Sequence, residues 1–155
     1  MDRGGFIQNR PPQNQGQGLS QNFSQVANFI RNNETDYNRL HSLAEQIARE
    51  LQLNSTKIRK FYNYVKKIKV LGRTADVKKD LNRFVAVLMY DTGREQNQAG
   101  LRQFAEGMRN VVEAVKNHAN IDKAYETFVD FFEALVAYHK YYYEVVGRHE
   151  GGRGR

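Results

Sequence analysis

The chain has 155 residues, 40% of them hydrophobic, which is enough for one domain with one modest core. It has no cysteine, so disulfides, thiolate zinc sites and cysteine nucleophiles are excluded, and the cytoplasm is the expected compartment. The formal net charge is +7, and between Ser55 and Arg94 eleven Lys and Arg stand against only three Asp, so one central stretch holds all of the excess. A polyanionic partner is the natural reading, because clustered cations gain from neutralising phosphates and releasing counterions. A solvated basic face is the plain alternative.

Residues 1–19 are rich in Gly, Gln, Asn and Pro and lack a secretory apolar segment. They read as a disordered tail, followed by a helical domain over 20–147 and a second disordered Gly/Arg tail over 148–155. No apolar run approaches the ~20 residues that span a bilayer, so no membrane is expected.

Phe23, Val26, Ala27 and Ile30 predict a short first helix. Tyr37, Leu40, Leu43, Ala44, Ile47 and Leu51 continue the spacing of a buried stripe. Ser55 is the expected N-cap of the next helix, in which Ile58, Phe61, Val65 and Ile68 face the core and Gly72 marks the end. Thr74 is the expected cap of a helix with Val77, Leu81, Phe84, Val85, Leu88 and Met89 on its inner side. A polar loop is expected over 91–100, able to act as a hinge for exchanging helices between protomers. Leu101, Phe104, Ala105, Met108, Val111, Val112 and Val115 form a further stripe, and a last helix runs from about Asp122 to Gly147 and holds Tyr125, Phe128, Val129, Phe132, Leu135 and Val136. Nothing alternates with the period of a half-buried strand. The expected fold is all-α, a compact helical bundle of about five helices with disordered N- and C-terminal tails.

The stretch NSTKIRKFYNYVKKIK, residues 54–69, concentrates the charge: six of its sixteen residues are basic and none is acidic. On a helix the cations bracket the apolar stripe. Lys57 and Arg59 fall near the positive end of the helix dipole, where cations are mildly unfavourable, which points to a use for the charge other than helix stability. Lys57, Arg59, Lys60, Lys66 and Lys67 are therefore candidate phosphate contacts. Tyr62 and Tyr64 read as cover for the core rim, with base stacking as the alternative.

Catalytic chemistry finds no support. No Glu-x-x-His pair, phosphate-binding glycine motif or nucleophile elbow occurs, and His41 with Glu45 supplies only two ligands. No metal and no cofactor are expected. Glu133 reads as a structural partner of an arginine, Arg59 or Arg94. His139 reads as a core histidine, with an RNA or subunit contact as the alternative.

Three landmarks carry a resemblance. FVDFFEALVAYHKYYY at 128–143, Ser55-Thr56-Lys57-Ile58-Arg59-Lys60-Phe61-Tyr62, and Leu88-Met89-Tyr90-Asp91-Thr92-Gly93-Arg94 occur in one order over residues 37–143. Together they resemble the small helical subunit of type III-A CRISPR–Cas effector complexes, the Csm small-subunit family. The resemblance implies a non-catalytic protein that stacks beside the guide-holding backbone subunits and lines the groove where target RNA pairs with guide RNA in antiviral defence. Target cleavage in that family belongs to the backbone subunit, and DNA cleavage and cyclic-oligonucleotide synthesis to the large subunit. It adds Arg94 to the RNA-binding candidates, with a helix C-cap or an ion pair with Asp91 as the alternative, and Lys140, at the polar edge of the last helix, is a further candidate for RNA or a neighbouring subunit. The tyrosines at 138 and 141–143 cover more than one helix face, which points to self-association or docking on the backbone subunit. A standalone nucleic-acid-coating protein, a protein adaptor and the type III-B small subunit are the competing readings.

Overall fold

A computed structural model describes residues 11–72, 76–95 and 98–146. The described residues contain six α-helices and no strand, one helix more than expected: α1 (Pro11–Arg31), α2 (Tyr37–Glu50), α3 (Ser55–Gly72), α4 (Val77–Arg94), α5 (Ala99–Lys116) and α6 (Ile121–Tyr141). A π-helical turn, Tyr142–Val146, continues α6. Residues 1–10 and 147–155, including the Gly147 helix end and the Gly/Arg tail, and the Thr74 cap lie outside the described residues.

The first helix begins at Pro11, inside the stretch expected to lack order. Two prolines open it, where a missing N–H costs no helical bond and a fixed φ already suits the helix. At its end Asn33 takes φ 54°, and Asn33 and Glu34 donate back to the carbonyls of Ile30 and Phe29. This is a left-handed cap that asparagine tolerates better than most residues.

Caps set the other starts. The Asp36 carboxylate accepts from the amides of Asn38 and Arg39, that of Asp76 from Lys79, and the Asn120 side chain from Lys123. For α3 the cap is Asn54, one residue before the expected Ser55: its side-chain oxygen accepts from Thr56 N at 2.7 Å and Lys57 N at 3.3 Å. Ser55 is already helical, and α3 ends at Gly72 as expected.

The expected loop over 91–100 is mostly helix. Asp91–Arg94 complete α4 and Ala99 opens α5, which leaves residues 95–98 between them. Gly93 is absorbed into α4, and Gly100 is buried in α5.

Helix α6 lies at the centre and packs against α2, α3 and α5, while α1 packs on α5 and α2, and α4 on α3 and α5. The core is unusually aromatic. Phe61, Phe84, Phe104, Phe128 and Phe132 are fully buried and touch in sequence, with ring centroids 5.9–6.4 Å apart. They join α3, α4, α5 and α6, at about 0.5–1.5 kcal/mol per well-placed pair beyond burial. The expected stripe residues Leu40, Ile47, Ile58, Val65, Leu81, Met108 and Leu135 are buried too. Val85, Met89, Val129 and Val136 are only partly buried, and Tyr37 is 40% exposed and donates to Asp130.

Candidate nucleic-acid interface

Helix α3 carries the basic stretch, and its orientation is set by Ile58, Phe61, Tyr62, Val65 and Ile68, all buried. Tyr125 fastens it from α6 by donating to the Val65 carbonyl at 2.7 Å. Tyr62 packs edge-on to Phe132 at 5.4 Å, and Tyr64 tilts against Phe84. Burial raises the Tyr62 pKa, with Glu133 adding to the effect and Arg59 opposing it. Tyr62 therefore belongs to the core and offers no face to a base.

Orienting α3 divides its cations into two groups. Facing α4, Lys57 pairs with Glu95 and Lys60 with Asp91 at 2.7 Å. Arg94 adds longer contacts to both acids, 3.8 Å to Asp91 and 3.9 Å to Glu95, and lies over the ring of the exposed Tyr90. Three of the expected phosphate contacts thus already meet carboxylates. The sequence reading offered Asp91 as a partner of Arg94 but not of Lys60. Asp91 extends the buried stripe Leu81, Phe84, Leu88 by one more helical step, and that spacing was legible.

Arg59 and Lys66, on the other flank, and Lys67, on the same row as Lys60 but two turns further on, are exposed and have no carboxylate partner among the described residues. Lys66 lies over the Tyr62 ring, 5.5 Å from its centroid. Glu133 is exposed and pairs with neither arginine: Arg94 is held by Asp91 and Glu95, and Arg59 lacks a carboxylate among the described residues. The expectation of a Glu133–arginine pair is not met, because Glu133 projects outward between the buried faces of Phe132 and Ala134.

Arg59 instead borders a cleft of about 70 Å³ between the first turn of α3 and the end of α6. Ser55, Thr56, Val136, His139 and Lys140 also line it. His139 is 1% exposed, as expected of a core histidine, and stacks on Tyr143 at 5.6 Å. Neither of its ring nitrogens makes a hydrogen bond of good geometry. Burial lowers its pKa, and the nearby backbone of Leu51 and Leu53 only partly opposes that. At the mouth, the Glu144 carboxylate accepts from the Ser55 hydroxyl at 3.3 Å and lies 3.6 Å from the Lys140 ammonium.

The turn that carries Glu144 is itself fastened. Tyr142 donates to Glu45 at 2.7 Å and accepts from Arg49 at 3.0 Å, which holds the Glu45 carboxyl below its usual pKa. Tyr138 meets His41 at 3.2 Å. Of the four tyrosines at this end, Tyr141 and Tyr143 remain about half exposed.

Among the described residues no three His, Asp or Glu side chains cluster as a metal site, and no helix is long and apolar enough to cross a membrane. The arrangement offers fixed cations along one helix and a small basic cleft at its start. No curated protein and no solved structure matches the chain significantly. The sequence profile of the Csm2 Type III-A family, however, matches residues 34–144, which takes in the whole of α2 to α6, and the chain accordingly belongs to that family, the small subunit of the type III-A Csm complex.

Proposed function

We propose that this protein is a non-catalytic RNA-binding subunit that lines the groove in which target RNA pairs with guide RNA, through phosphate contacts that ignore sequence. The observation that carries this reading is the set of exposed cations Arg59, Lys66 and Lys67 on α3, with no carboxylate partner among the described residues. A subunit that serves every target must grip phosphates, since phosphate contacts position a strand without reading it, and pairing with the guide supplies the specificity. The exposed Tyr141 and Tyr143 suit docking on the backbone or large subunit or on a second copy, in a cytoplasmic effector active in antiviral defence.

Titration of the full chain against single-stranded RNA, duplex RNA and duplex DNA at two salt concentrations tests it. RNA binding that weakens steeply with salt, and that is lost when Arg59, Lys66 and Lys67 are changed together to Ala, is the expected result. A preference for duplex DNA would favour a nucleic-acid-coating protein. Absence of binding to any of the three, alone and in the assembled complex, would favour an adaptor whose cations meet protein.

A further inference from the structure

We infer that the outer face of α4 is a base-stacking platform, on which the open face of the Tyr90 ring, beside the bare backbone of Gly93, takes one unpaired base of a single-stranded RNA. This deepens the RNA-binding reading and rests on it for the strand.

Tyr90 is the first pointer. At 68% it is the most exposed large hydrophobic side chain among the described residues, against 40–51% for Tyr37, Tyr141, Tyr143 and Val145. Those other three tyrosines each meet another ring, at 5.0–6.1 Å. Tyr90 meets none among the described residues. The Arg94 guanidinium lies over it instead, 5.7 Å from the centroid, and the rest of the ring faces solvent. Contacts of 3.8 Å to Asp91 and 3.9 Å to Glu95 keep Arg94 in place. Arg94 is thus a positioning residue: it covers one face of the ring and leaves the other for a flat ligand.

Gly93 is the independent pointer. Glycine is the poorest helix former after proline. Packing within the protein does not require it here. A Cβ at Gly93 would meet nothing within 4 Å among the described residues, whereas one at Gly100 or Gly107 would collide. Helix termination does not require it either. Gly93 has no positive φ, and α4 runs past it to Arg94 with Glu95 as the C-cap. Close approach from outside is the remaining use of a missing side chain. Gly93 stands three residues after Tyr90 and Ala86 four before it, so small exposed residues neighbour the ring along the helix on both sides.

Charge selects the occupant. Every charged residue exposed on α4, Lys78, Lys79, Arg83 and Arg94, is a cation, while Asp80 is half-buried and Asp91 buried. Arg83 stands two turns before Tyr90 on the same face, 61% exposed, with only a 3.8 Å contact to Asp80. Lysine is depleted from the cores of protein interfaces, whereas single-strand binding surfaces combine cations with exposed rings. Tyr90 also adjoins Asp91, the partner of Lys60, so the platform borders the row of α3 that carries Lys60 and Lys67. Every base has a stacking face, so the contact ignores sequence as the phosphate contacts do.

The test uses the full chain with labelled single strands: an oligouridine, the same strand carrying one fluorescent purine whose emission falls on stacking, and an abasic strand of equal length. Tyr90→Ala should weaken oligouridine binding about tenfold, the worth of one stacked base, and leave the melting temperature nearly unchanged. Tyr90→Trp should keep or tighten binding. The fluorescent purine should dim on binding to the wild type and stay brighter on Tyr90→Ala. The abasic strand should bind more weakly and should not distinguish the two proteins. Gly93→Gln should raise the melting temperature, since glutamine forms helix better than glycine, and yet weaken oligouridine binding. A glycine with a merely structural role would move only the first.

Oligouridine binding that is equal in wild type and Tyr90→Ala, but lost on changing Arg59, Lys66 and Lys67 to Ala, would overturn the platform and leave the RNA reading standing. An abasic strand as sensitive to Tyr90→Ala as the oligouridine would overturn it too, because the contact would then be to the backbone. A change in self-association by light scattering with no change in oligouridine binding would overturn it in favour of a protein contact. No binding of any strand, alone or in the assembled complex, would overturn the RNA reading and the platform with it.

Discussion

The Lys60 ammonium lies 2.7 Å from the carboxylate of Asp91, and the two differ sharply in exposure: 54% of the lysine side chain meets solvent against 6% of the aspartate. The acid is an almost buried charge compensated from the rim, and Arg94 approaches it from the other side. A buried carboxylate left without its cation keeps its desolvation cost. Lys60→Ala and Asp91→Asn should each lower stability by about 1–3 kcal/mol, read as a fall in the urea midpoint at constant slope. Asp91→Asn should also leave RNA affinity unchanged or raised, since it frees two cations.

The paired and the unpaired cations of α3 should separate in a salt titration. Each phosphate contact removed lowers the slope of log affinity against log salt by about one. Arg59, Lys66 and Lys67 changed singly to Ala should each flatten that slope and leave the melting temperature nearly unchanged. Lys57→Ala should do the reverse, because its pairing with Glu95 ties α3 to the end of α4.

Two glycines mark where helices touch most closely. A Cβ at Gly107 would stand 2.2 Å from the ring of Phe23, between α5 and α1. One at Gly100 would stand 1.8 Å from the Gln52 carbonyl oxygen. The ring is fully buried and the carbonyl is backbone, so neither gives way cheaply. Gly107→Ala should cost about 1–3 kcal/mol by overpacking, and Gly100→Ala at least as much. Thermal unfolding checks both, and a melting temperature equal to wild type would mean that the α1–α5 and α5–Gln52 contacts are looser than described.

His139 should make stability fall in mild acid. Its folded pKa is lowered by burial, so below the ordinary histidine value the unfolded chain binds the proton that the folded chain refuses. The contribution is complete above about pH 6.5 and is lost as pH falls through the lower folded pKa. His139→Phe should flatten the pH dependence of the melting temperature between about pH 7 and 5.

Much of this protein was legible in its sequence, because the signals are local. Helical spacing alone placed Leu40, Ile58, Phe61, Val65, Phe104 and Phe132 in one core, and the absence of strand periodicity gave the all-α class. Three short landmarks pointed to the family whose profile matches the chain. Local signals were weaker at the edges. Asn54 and Ser55 are both good caps, and only the backbone geometry chooses Asn54. Gly93 resembles a breaker, yet the pairing of Asp91 with Lys60 of α3 and with Arg94 accompanies an α4 that runs past it. What composition could not assign was the partner of each cation. Lys57 and Glu95 are 38 residues apart, Lys60 and Asp91 31, Ser55 and Glu144 89. Ion pairing depends on distance in space, and only the packing of α3 between α4 and α6 brings acids to one side of it and opens a basic cleft on the other.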